Sequence, residues 1–119
     1  MKYVWAIFTN AESGAEAEFN EWYDGVHVPD LLKIPGVTSA ERFHLAPVQT
    51  KPGPDGIEVV QLDQAELKYK YLALYIIETD DIEGVLQNVA LRAGSSEMVL
   101  SSALSSDIGT MCYQQLIHE

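Results

Sequence analysis

The chain has 119 residues, 47% hydrophobic and 21% charged, the balance of one packed domain over residues 1–119 with no room for a second core. Eighteen acidic residues against seven basic ones give a formal net charge of -11, which repels phosphate backbones and anionic lipid, so neither nucleic acid nor a membrane surface is an expected partner. Cys112 is the single cysteine, residues 1–8 are too short for a secretory signal, and no apolar run approaches the roughly 20 residues that span a bilayer, so a soluble, cytoplasmic protein is expected.

Residues 2–9 alternate Tyr3, Trp5 and Ile7 with Val4, Ala6 and Phe8; both sets are apolar, as in a strand covered on two faces. From Ala15 the period lengthens. Ala15, Phe19, Trp22, Tyr23 and Val26 fall on one side of a helix whose other side carries Glu16, Glu18, Asn20 and Glu21, with Asn10 or Ser13 as the candidate cap. The acidic stretch from Glu12 to Glu21 reads as its solvated face. Pro29 removes a helical hydrogen bond to Gly25 and disfavours helical angles at Val28, which predicts a kink or restart, one further turn over residues 30–33, and a stop at Pro35-Gly36.

Residues 37–45 read as a second strand. Residues 47–56 hold Pro47, Pro52, Gly53, Pro54 and Gly56, a turn-rich excursion followed by a short extended piece over residues 57–62. The whole stretch 47–66 is expected to act as an arm over a cavity mouth or a neighbouring subunit. Residues 69–79 alternate Leu72, Leu74 and Ile76 with Tyr69, Tyr71, Ala73, Tyr75 and Ile77, one face aliphatic and the other mainly aromatic. Asp80 is the expected cap of a second helix with Ile82, Val85, Leu86, Val89 and Ala90 as its buried stripe, ended by Gly94. A Ser-rich stretch over residues 95–106 contains Met98-Val99-Leu100 as a candidate helical turn, and residues 109–117 read as the last strand.

The order predicts an α+β domain of ferredoxin-like type, βαββαβ, with a four-stranded antiparallel sheet and helices on one face. Tyr3, Trp5, Tyr71, Tyr75 and Tyr113 then become an uncovered aromatic surface, too apolar for a monomer, and a homodimer through the sheet face is expected.

The segment Glu18-Phe19-Asn20-Glu21-Trp22-Tyr23-Asp24-Gly25-Val26-His27-Val28-Pro29-Asp30-Leu31-Leu32, followed by Pro35-Gly36 and Ala40-Glu41-Arg42-Phe43, resembles the EthD-like branch of the dimeric α/β-barrel superfamily. Tyr71-Leu72-Ala73-Leu74-Tyr75 before Thr79-Asp80-Asp81 adds to the likeness, whereas residues 47–66 and the Ser-rich stretch carry none of it. The resemblance implies two sheets packed face to face into a dimeric α/β barrel with a ligand cavity in each subunit. It does not fix a reaction: the superfamily includes cofactor-free monooxygenases, lactone isomerases, polyketide cyclases and haem-handling enzymes.

His27 is the first catalytic candidate. It sits beside a proline-broken turn with Asp24 and Asp30 three residues to either side, and a carboxylate reaching the ring would favour the imidazolium and suit a general acid or base. A cap on the freed carbonyl of Gly25 or the helix end is the competing role. Arg42, in a strand, can reach a ligand oxygen or form an ion pair with a helix carboxylate or with Glu41 of a second copy. Trp22, Tyr23, Tyr75 and Tyr113 are the candidate ligand-facing aromatics, with plain packing as their alternative. His27, Asp30 and His44 lack a metal-ligand spacing, Cys112 reads as a small buried hydrophobe, and no Gly-rich phosphate loop is present, so neither a metal nor a cofactor is expected. His44 ends a strand and His118 lies one residue from the terminus, so neither adds a site.

The expected function is a cofactor-independent enzyme acting on an apolar, aromatic, lactone or polyketide-like small molecule by proton transfer at His27. The alternative is a non-catalytic module that binds a hydrophobic ligand or supports such a pathway.

Overall fold

The computed structural model of the chain describes residues 1–62 and 67–116. Its strands are β1 (Lys2–Thr9), β2 (Val37–His44), β3 (Val48–Gly53), β4 (Gly56–Gln61), β5 (Tyr71–Glu78) and β6 (Gly109–Gln114). Its helices are α1 (Glu16–Trp22), α2 (Val28–Leu32) and α3 (Ile82–Arg92), with a π-helical segment, Tyr23–His27, joining α1 to α2. The main sheet runs β2-β5-β1-β6, all antiparallel, which is the ferredoxin-like order. β3 and β4 pair only with each other, so the turn-rich excursion is a hairpin rather than a loop with one extended piece. The last strand stops at Gln114; residue 117, the end expected for it, and His118 lie outside the described residues, as do residues 63–66.

The register decides which face the helices cover. Tyr3 pairs with Ile77, Trp5 with Tyr75, Ile7 with Ala73 and Thr9 with Tyr71, and partners across a ladder share a face. On that face Tyr71, Ala73, Tyr75 and Ile77 are buried against Phe19, Tyr23 and Leu31 of the first helix and Val85 and Val89 of α3. The aromatic surface expected to be open is therefore the core. Its rings interlock with those of the helix, Phe19 lying 4.9 Å from Tyr71 and 5.4 Å from Tyr23 between centroids. The open face is the aliphatic one, with Val4, Phe8, Leu72, Leu74 and Ile76 along its middle and Phe43 and Met111 on its flanking strands. Tyr113 pairs with Val4 and alone of the five aromatics lies there.

The first helix is continuous from Glu16 to Leu32, contrary to the expected kink. Val28 keeps helical angles (φ -59°, ψ -47°) and its N–H bonds back five residues to the Tyr23 carbonyl. One widened turn offsets the ladder where Pro29 lacks its donor and where its ring would otherwise meet a carbonyl, so the proline is absorbed without a break. Neither Asn10 nor Ser13 caps α1, which begins after Ala15 with no side-chain cap. Asn10 instead donates to the Lys68 carbonyl and accepts from the Lys70 N–H, tying the end of β1 to the approach to β5.

Pro35-Gly36 stops the helix as expected, Gly36 taking φ +99°. The cap of α3 is Asp81, one residue beyond the expected Asp80; its Oδ1 accepts the Gly84 N–H at 3.0 Å. Ala90 is exposed rather than part of the buried stripe. The Ser-rich stretch forms no helical turn. It runs as an irregular strap across the domain, tied by Glu12 N–H to the Ala103 carbonyl and by Ser105 N–H to the Asn10 carbonyl, and it drives Met98 into the core. Cys112 is exposed, because β6 is an edge strand beyond the reach of the helices.

Candidate functional site

Between the sheet and the helices lies a cavity of about 220 Å³. Trp5, Ile7 and Thr9 of β1, Tyr75 of β5 and Thr110 of β6 form its floor. Tyr23, His27 and Leu31 of the first helix and Val89 and Ala93 at α3 form its roof, and on the strap side it is lined by buried Met98, by Leu104, and by the exposed Leu100 and Ile108 at its mouth. The wall is almost wholly apolar. Three buried polar atoms on it have no hydrogen-bond partner: Thr9 Oγ1, His27 Nδ1 and Tyr75 OH. These three are the full set of such atoms among the described residues, and all belong to residues that line this one cavity.

His27 ends the π segment and reaches this wall beside Tyr23, four residues before it. Its ring stacks on Trp22 at 4.6 Å and meets Tyr23 edge-on at 5.1 Å. Neither flanking carboxylate takes the role expected of it. Asp24 is held by Arg42 at 2.9 Å and Asp30 lies 3.7 Å from Lys33, so burial outweighs them and holds the imidazole pKa down at about 4, with Asp30 pulling partly back and Arg42 adding to the depression. His27 is therefore neutral at pH 7, not an imidazolium. Nor does Nδ1 cap a helical carbonyl.

Tyr75 is fully buried and its phenol is pushed far above the ordinary range, chiefly by burial and then by the neighbouring Tyr23. Tyr23 lies close enough to perturb Tyr75, yet the two hydroxyls form no hydrogen bond of sound geometry. Burial likewise raises Tyr23, with Tyr75 and Arg42 opposing it.

Arg42 lies on the covered face but outside this cavity. Its guanidinium donates to Asp24 and to Asn20 Oδ1, each at 2.9 Å, and sits 4.2 Å above the Tyr23 ring. It thus forms the expected ion pair with a helix carboxylate, and borders an open hollow of about 580 Å³ at the β2 edge. That hollow is larger, but its strongest polar groups are already paired with one another. Trp22 is core, its Nε1 donating to the Val99 carbonyl of the strap at 2.9 Å. Tyr113 is on the opposite side of the sheet and does not join the cavity.

Thr9 and the strap residues are not among the candidates that sequence reasoning finds. Thr9 shares the parity of Tyr3, Trp5 and Ile7, which is the available signal; Met98 and Leu104, in short apolar pieces between serine pairs, carry no periodicity. Among the described residues no three histidine, cysteine or acidic side chains group to hold a metal, and no helix is long and apolar enough to cross a membrane.

Together these features define a ferredoxin-like α+β domain with a small apolar cavity under its helices. Along nearly its full length the chain is similar in structure to an ethyl tert-butyl ether D (EthD) family protein from Bacillus halodurans, covering 98% of this chain and 99% of that one at 17% identity and a TM-score of 0.45. No family profile matches the sequence, and no curated protein is significantly similar to it. The functional reading therefore rests on this chain's own residues.

Proposed function

We propose that the protein is a cofactor-independent enzyme of small-molecule metabolism, acting as a homodimer, in which the cavity holds the substrate and His27 accepts a proton from it. The observation that carries this is that the three residues with unpartnered buried polar atoms all line one apolar cavity. An unsatisfied buried donor or acceptor costs about 1–3 kcal/mol, so three in one place favour an occupant that bonds to them. Neutral His27 offers a lone pair at pH 7, and Tyr75, held protonated, can donate to an oxygen that gains charge as the proton leaves. Arg42 acts here as a support for Tyr23 rather than as a catalytic group.

A purely binding role has one observation on its side. An imidazole with a pKa of about 4 is a weak proton acceptor unless the developing anion raises it. Native mass spectrometry of the purified full chain identifies a retained molecule, and its solvent hydrogen exchange in D₂O then separates the two roles. With His27→Gln the exchange should slow by roughly 10²- to 10⁴-fold while binding persists. Unchanged exchange with binding intact assigns the protein to the binding class.

A further inference from the structure

We infer that the cavity takes an uncharged, single-ring molecule carrying one hydroxyl or carbonyl oxygen, bound with that oxygen among Tyr75, His27 and Thr9. The inference deepens the proposed function and rests on the same cavity being the ligand site.

Charge comes first. No aspartate, glutamate, lysine or arginine lines the cavity. Arg42, packed on the Tyr23 ring of the roof, is held by Asp24, and Arg92, next to Ala93 in the chain, is held by Glu97. A carboxylate or phosphate inside would lose its water with no counter-charge, and an ammonium would meet no carboxylate. The neutral His27 and protonated Tyr75 keep the wall uncharged at pH 7. Outside, a net charge of -11 also lowers the local concentration of anions.

Size follows from volume. A cavity of roughly 150 Å³ takes benzene, so about 220 Å³ suits one ring with short substituents. The oxygen follows from the unpartnered atoms: a hydrocarbon would fill the space and leave Thr9 Oγ1, His27 Nδ1 and Tyr75 OH unsatisfied, whereas a carbonyl oxygen can accept from the tyrosine and threonine hydroxyls and a hydroxyl can in addition donate to the imidazole lone pair.

Calorimetry on the full chain at pH 7 with phenol, benzoate, benzene and the three-ring 9-phenanthrol tests each part. Phenol should bind, with the other three at least tenfold weaker. Tyr75→Phe and Thr9→Val should each reduce the phenol-to-benzene affinity ratio by fivefold or more while leaving benzene binding unchanged; if the tyrosine variant does not fold, the threonine variant decides. Benzoate or phenanthrol binding as well as phenol, an unchanged ratio in the folded variants, or no binding of any of the four overturns the inference. The D₂O exchange result with His27→Gln is independent of this ranking, so loss of the proton-transfer role with the ranking intact leaves the ligand class standing, and the reverse leaves the catalytic role standing.

Discussion

For His27 the contest is between desolvation and Asp30, and desolvation wins, with Arg42 on its side and Asp24 paired to that arginine. This has a pH signature. The unfolded imidazole titrates near its ordinary 6.5 and the folded one at about 4, so between these values the unfolded chain binds more protons. The stability associated with the neutral ring is fully present above pH 6.5 and is lost as pH falls to about 4. Urea denaturation of the wild type and of His27→Gln across this range should show the wild type losing on the order of 3 kcal/mol more than the variant. A difference between the two that stays constant from pH 7 to pH 4 refutes a buried neutral histidine. The nearness of His27 and Tyr23 is legible from helical spacing, but that Tyr75 joins them is not, because strand alternation does not tell which face the helices cover. The charge of His27 is not, because a separation of three residues does not say which way a carboxylate points when the turn between is π rather than α.

At the scale of elements, the order of the four sheet strands and the main helices can be read from the change of period at Ala15, Val37, Tyr69 and Ile82. The hairpin cannot. Pro52 and two glycines lower strand propensity, yet Pro52 sits opposite Ile57 in a two-stranded ribbon with two outer edges, where a missing donor is tolerated. The π segment is also hidden, since no composition rule marks one extra residue in a helix. Its role can be tested by removing that residue. Deleting Gly25, which is exposed and has open space where a side chain would lie, should return the helix to α geometry and bring the Pro29 ring against a carbonyl, at a cost of about 3 kcal/mol. Adding Pro29→Ala to the deletion should restore most of that stability. A double variant no more stable than the deletion alone defeats this account.

The whole molecule is only 19 Å across its thinnest dimension, the depth of one sheet and one layer of helices. Alternation in β1 and β5 sorts their residues correctly into two sets, but since both sets are apolar it does not tell which the helices cover. The consequence for association is that the dimer proposed above uses Val4, Phe8, Leu72, Leu74 and Ile76, not the buried tyrosines. An apolar sheet face of this extent favours a second sheet, while two chains of charge -11 oppose one another. The expected result is a dimer at micromolar concentration whose affinity rises with salt as the repulsion is screened. Leu74→Asp places a carboxylate at the centre of that face and should give a monomer by light scattering with its helical circular dichroism retained. Tyr75→Asp, one residue along and pointing the other way, should instead unfold the chain, because an unpaired carboxylate in the core costs several kcal/mol, comparable to total domain stability. If Leu74→Asp unfolds the chain while Tyr75→Asp merely dissociates it, the two faces have been assigned the wrong way round; if the wild type is a monomer at every salt concentration, the open face does not mediate self-association.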